Sequence, residues 1–238
     1  MAVTVLIPAA GLGRRMGGDV SKQYLDLDGK PILAHTLALF DNHPLVADIW
    51  VICAADQVEF CRRDIVDKYG FVCVADVIAG GAERQESVYN GLLRCGCGAD
   101  DLVVIHDGVR PLYDTISFDD VVRAAGFYDA AIVAVPVKDT VKQVEAGRVV
   151  ATPPRHTLWA AQTPQVFRYD LIMHAHEQAR RDGFCASDDA ALLERLGQEV
   201  MVVEGSYSNI KITTPEDLLI AETVIHSRNT FDAYRPRL

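Results

Sequence analysis

The sequence predicts an α/β fold with a mostly parallel central sheet and an inserted β-hairpin arm. Three observations carry this. Short Val/Ile/Leu-rich runs alternate with stretches whose apolar residues recur at helical spacing. Glycine-rich turns follow the first and third of those runs. One polar stretch, from about Lys138 to Thr163, breaks the rhythm with two alternating runs around a Gly-containing turn.

Val3–Ile7 reads as a buried strand, followed by a loop from Pro8 to about Lys22. Pro31 suits the first position of a helix reaching Phe40, with Ile32, Leu33, Leu37 and Phe40 on one face. Ile49–Ala54 is expected as the second strand, Gln57–Tyr69 as a helix and Phe71–Ile78 as the third strand. A helix to about Arg94 and a strand at Leu102–Ile105 come next, then a helix at Phe118–Tyr128 and a strand at Ala130–Val135. Beyond the arm, helices are expected near Tyr169–Arg181, Asp188–Leu196 and Pro215–Ser227, with a strand at Val200–Val203. Thr214 and Asp217 are placed to cap the last helix. With no internal repeat, low-complexity tract or linker, a single domain spanning 1–238 and carrying one arm is the economical description.

Composition narrows the function. The chain has 238 residues, half of them hydrophobic and 24% charged, which excludes a mainly disordered protein. A chain of this length buries about 70% of its unfolded surface and needs no disulfide or metal staple. The formal net charge of −10 argues against nucleic acid and membrane surfaces as partners. It leaves room for a small phosphorylated substrate held by local cations. Six scattered cysteines, with no Cys-x-x-Cys pair, read as free thiols of a reducing compartment. Met1–Pro8 lacks the basic region of a signal peptide and no apolar run approaches ~20 residues, so a cytoplasmic protein is expected.

Candidate chemistry begins at Pro8-Ala9-Ala10-Gly11-Leu12-Gly13-Arg14-Arg15-Met16, with Lys22 beyond. A glycine turn after a strand lets backbone N–H groups approach a phosphate. No Walker A run exists, and Met16 occupies the third glycine of a dinucleotide fingerprint, which disfavours a Rossmann dehydrogenase. What remains is Gly-x-Gly with Arg14, Arg15 and Lys22: a phosphate cradle or a solvated basic turn. Gly80-Gly81-Ala82-Glu83-Arg84, with Ser87 after it, reads either as a second ligand turn or as a flexible helix entry. His106-Asp107-Gly108-Val109-Arg110 ends a strand. Asp107 could orient a metal or hydroxyls, and Arg110 could take a phosphate or simply pair with Asp107. Lys211, between Ile210 and Ile212 in a β-like run, is solvated or functional. No His/Cys spacing suits a protein-held metal, so no metal ligands are expected.

Taken in order, Pro-Ala-Ala-Gly-x-Gly-x-Arg-Met, Lys-Gln-Tyr, Gly-Gly-x-x-Arg, His-Asp-x-x-Arg-Pro, Gln-Thr-Pro-Gln and Asn-Ile-Lys-x-Thr-x-Pro-Glu-Asp-Leu resemble the 2-C-methyl-D-erythritol 4-phosphate cytidylyltransferases. The resemblance runs from Val3 to Ala221. It implies a Rossmann-like nucleotidyltransferase fold and transfer of CMP from CTP to methylerythritol phosphate. Mg²⁺ would be held mainly by the CTP phosphates, and the enzyme would be a homodimer whose arms complete each other's sites. By that resemblance Arg15 and Lys22 contact the CTP phosphates at the transition state, within a backbone cradle of Pro8, Ala9, Ala10, Gly11 and Gly13. Gly81, Ala82 and Ser87 read cytosine. Asp107, Arg110 and Lys211 contact methylerythritol phosphate, with Asp107 and Lys211 counted as catalytic, and Ser187 adds a hydroxyl. Arg155 and Thr163 are the arm's contribution across the dimer. The length implies the stand-alone enzyme without a fused cyclodiphosphate synthase. Two rivals are a D-ribitol-5-phosphate cytidylyltransferase, disfavoured by Pro8-Ala9-Ala10 and Leu158-Trp159, and a non-catalytic nucleotide-binding regulatory module.

Overall fold

The computed structural model describes residues 2–11 and 21–234. The elements in chain order are β1 (Val3–Ala9), β2 (Asp26–Leu27), β3 (Lys30–Pro31), α1 (Ile32–Ala38) and β4 (Asp48–Cys53). Then come α2 (Val58–Phe60), β5 (Val74–Ala79), α3 (Arg84–Arg94), β6 (Leu102–Ile105), α4 (Phe118–Tyr128) and β7 (Ala130–Pro136). The arm strands β8 (Gln143–Glu145) and β9 (Arg148–Ala151) follow, and then β10 (Trp159–Arg168), α5 (Tyr169–Arg181), α6 (Ala190–Arg195), β11 (Met201–Glu204) and α7 (Pro215–Tyr234).

Among the described residues, seven strands form one sheet in the order β11-β7-β10-β6-β1-β4-β5. All neighbours are parallel except β10, which runs antiparallel to both β6 and β7. The alternation of side chains divides each strand between two cores. From β1, Val3, Val5, Ile7 and Ala9 join Leu33, Leu37, Phe40 and Phe118 on one face. Leu6 joins Val88, Leu92, Ile172 and Leu193 on the other. The result is a helix–sheet–helix sandwich. The chain leaves β1 for β4 on one side and returns to β6 on the other, so a crevice opens beyond the carboxyl ends of β1 and β6.

Several expectations need correction. Pro31 is not the first helical residue: it is extended, with φ −59° and ψ 143°, pairs with Asp26 and precedes the helix. The expected helix at 57–69 begins as a 3₁₀ turn at Ala55–Gln57 and passes through α2 into a π-helical stretch at Cys61–Asp67. Phe71 and Cys73 precede β5, which begins at Val74. Lys211 lies in no strand, and Ile210 beside it is half-buried like Lys211 itself.

The arm is also shorter than 138–163. Trp159–Arg168 is a ten-residue strand inside the sheet, paired on both sides, so Thr163 belongs to the body of its own chain. The hairpin β8–β9 itself forms, exposed along its whole length, and turns through Ala146 (φ 46°) and Gly147 (φ 77°). At α7 the cap is reciprocal: Asp217 Oδ2 accepts from the Thr214 N–H at 2.9 Å, and Thr214 Oγ1 accepts from the Asp217 N–H at 3.4 Å. All six cysteines are free thiols. Among the described residues no helix is long and apolar enough to cross a membrane.

Candidate active site

The crevice holds a cleft of about 450 Å³. One wall is Pro8, Ala9, Ala10 and Gly11 at the end of β1, with Lys22 and Gln23 beside them. The opposite wall is the turn after β5, with Gly81, Ala82, Glu83 and Ser87. These walls are close because glycine permits it. A Cβ on Gly80 would lie 2.6 Å from Ser87 Oγ and 3.0 Å from Ala10 Cβ. A Cβ on Gly108 would lie 3.1 Å from Ala9 Cβ.

The β5 turn is shaped by its own side chains. Ser87 Oγ accepts from the Gly81 N–H at 3.1 Å and donates to the Glu83 carbonyl at 3.0 Å. Glu86 Oε2 accepts from the Ala82 N–H at 2.8 Å. Both N–H groups are thus used within the turn.

The floor is a charge cluster. Asp107, 5% exposed, receives three cations: Lys211 Nζ at 2.9 Å, Arg84 Nε at 3.2 Å and Arg110 Nε at 3.3 Å. Burial alone would raise the pKa of Asp107, but Arg84, Lys211 and Arg110 override it and hold the carboxyl well below the usual carboxylate range. Arg84 reaches back to buried Asp189 at 2.7 Å, and Asp189 faces His176 Nε2 at 3.3 Å. Burial disfavours the Arg84 charge, yet Asp189 and Asp107 raise its pKa, so it stays a fixed cation. Lys211 is the most accessible of the three cations. A second lobe of about 230 Å³ shares Arg84, Asp107 and Lys211 and adds Arg110, Thr163, Gln165, Ser187 and Asp188.

A sequence profile described as 2-C-methyl-D-erythritol 4-phosphate cytidylyltransferase matches residues 3–227. The chain belongs to that family. The curated cytidylyltransferase of this name from Geotalea uraniireducens is 55% identical over 231 residues, covering 97% of this chain and 99% of the relative. Its counterpart in Syntrophotalea carbinolica is 52% identical over 233 residues, covering 98% and 100%. The crystal structure of the Francisella tularensis cytidylyltransferase superposes with a TM-score of 0.81 at 36% identity, covering 94% of this chain and 99% of that one. The 4-diphosphocytidyl-2C-methyl-D-erythritol synthase of Anaerococcus prevotii gives 0.82 at 32%, covering 94% and 96%.

Of the residues the family resemblance singles out, Pro8, Ala9, Ala10, Gly11, Lys22, Gly81, Ala82, Ser87, Asp107 and Lys211 line the first lobe together. Arg110, Thr163 and Ser187 line the second. Gly13 and Arg15 lie outside the described residues. Arg155 lines neither lobe: it is exposed on the arm and donates to the Lys138 carbonyl at 2.8 Å. Thr163 reaches the site from β10 of its own chain, where its hydroxyl accepts from the Asp107 N–H at 3.0 Å. The residue-level reading missed Arg84 as a site group. It stood in the Gly-Gly-x-x-Arg motif, but its role depends on Asp107 and Asp189, 23 and 105 residues away.

Proposed function

We propose that this cleft transfers the cytidylyl group of CTP to 2-C-methyl-D-erythritol 4-phosphate, giving 4-diphosphocytidyl-2-C-methyl-D-erythritol and pyrophosphate in the non-mevalonate route to isoprenoid precursors. The observation that carries it is two joined lobes with a shared floor of Arg84, Asp107 and Lys211, in a chain of this family. Two anionic substrates must meet, and the shared floor is where they would do so.

The Lys22 lobe takes CTP. The N–H groups of Gly81 and Ala82 are engaged within the turn, and a carbonyl there would suit the exocyclic amine of cytosine. Uracil offers an acceptor at that position. Ala82 has only a methyl side chain, so base reading there is by backbone. The second lobe takes the alcohol phosphate, with Arg110 and Lys211 for its charge and the Ser187 hydroxyl beside them.

A phosphate oxygen is already ionised near neutral pH and attacks the α-phosphorus in line, so no general base is required. Lys22, with Arg15, neutralises charge as it develops on the triphosphate. Lys211 and Arg84 hold the two anions at attack distance. Asp107 keeps its cations fixed in direction, and His106, pushed down to about 4 by burial, is neutral and takes no proton at working pH.

Among the described residues no three His, Cys, Asp or Glu side chains converge on a metal position, and Asp107 is committed to cations. Mg²⁺ held by the triphosphate oxygens would supply further charge neutralisation there. The exposed hairpin, with Val144, Val149 and Val150 uncovered, fits an arm that packs on a second copy and delivers Arg155 to its site. A cytoplasmic setting agrees with a CTP substrate and six free thiols.

Phosphorus NMR of the reaction tests the assignment. Two coupled diphosphate signals should appear with inorganic pyrophosphate. Release of free CMP with an unchanged alcohol phosphate would refute the transfer.

A further inference from the structure

The turn bearing Asp107 and Arg110 is closed by a hydrogen-bond ring. Thr163 Oγ1 accepts from the Asp107 N–H at 3.0 Å and lies 3.2 Å from His106 Nδ1. His106 Nε2 lies 3.1 Å from the Arg110 carbonyl. A carbonyl only accepts, so Nε2 carries the ring proton. Nδ1 is then an acceptor, and the Thr163 hydroxyl donates to it. Asn209 completes the ring: its Nδ2 donates to the Thr163 carbonyl at 2.9 Å, and its own carbonyl accepts from Arg110 Nη1 at 2.7 Å. Each donor meets an acceptor, and one tautomer satisfies them all.

His106 is fully buried and lines neither lobe. Its ring packs against Phe40 at 5.1 Å and Tyr113 at 5.6 Å, and the charged groups acting on it are Asp107 and Arg110. A residue that only filled this space would be served as well by phenylalanine. The imidazole adds two directed bonds: one to the Arg110 carbonyl at one end of the functional turn, and one to the Thr163 hydroxyl, which in turn holds the Asp107 N–H at the other.

We propose that His106, acting through Thr163, is a positioning residue that sets the Asp107–Arg110 turn to receive the alcohol phosphate. This rests on the reading that Asp107 and Arg110 handle that substrate. It also gives Thr163 a role inside its own subunit.

Steady-state kinetics of the full-length enzyme with both substrates varied test it. His106→Phe and Thr163→Val should each raise KM for the alcohol phosphate about tenfold, the scale of one lost buried hydrogen bond. The KM for CTP and kcat should stay within about twofold. The double variant should be no worse than the poorer single one, and Thr163→Ser should recover most of the Thr163→Val loss. Asp107→Asn should raise the same KM. If Asp107→Asn raises it while His106→Phe and Thr163→Val leave it unchanged, the positioning role is wrong and the site reading stands. If Asp107→Asn leaves it unchanged, both fall. Should His106→Phe not fold, the Thr163→Val and Thr163→Ser pair decides: equal KM values for the two overturn the proposal.

Discussion

Lys22 and Asp107 show how single side chains set this site. Lys22 follows a glycine loop and lines the wall opposite the β5 turn, where a triphosphate would lie. Lys22→Ala should lower kcat by about a thousandfold, the scale of removing a charge aimed at the transition state, with the circular dichroism spectrum unchanged. His106 carries a pH prediction. Its folded pKa of about 4 lies below the unfolded value of about 6.5, so the unfolded chain binds the extra proton between those values. Stability therefore falls as pH drops through that window, by about 2 kcal/mol from pH 7.5 to 5. Asp107 and Asp189 have depressed folded values and unfolded values near 3.9, so their contribution is lost only at more acid pH. Urea unfolding at the two pH values should show the drop, and His106→Phe should flatten it. At this scale the sequence shows which cations cluster locally, but it does not show pairings such as Arg84 with Asp189, which only the fold creates.

Helix α7 ties the site together at the level of elements. A small third core joins Leu27, Ile32, Val109, Leu112, Ile212 and Ala221. Val109 lies inside the Asp107–Arg110 turn, Ile212 follows Lys211, and Leu25, packed on the same core, follows Lys22 by three residues. Ile212→Ala should cost about 2–4 kcal/mol and lower kcat/KM at temperatures where the variant is fully folded, since it loosens the segment carrying Lys211. Asp217→Ala removes the capping partner of α7 and should cost about 1 kcal/mol, read as a lower Tm. The arm makes its own prediction. If Arg155 serves a neighbour, heterodimers of Arg155→Ala and Lys22→Ala chains should regain partial activity; heterodimers without recovery would count against exchange.

Elements with a regular hydrophobic period were legible, as α4, α5 and β6 show by matching their expected bounds. Strand β10 was not. Its register on β7 shifts between Ala161 and Gln165, where Gln162 and Thr163 turn toward the site, and this interrupts the alternation that marks a strand. The β2–β3 hairpin was missed, although Asp28-Gly29, with φ values of 53° and 80°, carries the signal of a tight hairpin turn.

For the whole molecule, the order of strands decides where chemistry can occur. Parallel strands on both sides of β1 place the loops that leave their carboxyl ends at one edge, and the cleft fills the gap between them. The antiparallel β10 brings Thr163 and Gln165 to the same edge from a segment far along the chain. A net charge of −10 then surrounds a site whose floor is cationic, which suits small phosphorylated substrates and discourages polymeric ones. The site was legible as a set of motifs because family resemblance groups them. That Asp107 is the common anchor of three cations needed the fold.

Pyrophosphate release, with each of the four nucleoside triphosphates offered alongside methylerythritol phosphate or ribitol phosphate, tests the central claim most directly. Rapid release is predicted with CTP and 2-C-methyl-D-erythritol 4-phosphate together, and only background release when either is missing or when UTP or ribitol 5-phosphate is substituted. Comparable rates with ribitol phosphate or another nucleotide, or no release with the predicted pair, would contradict it.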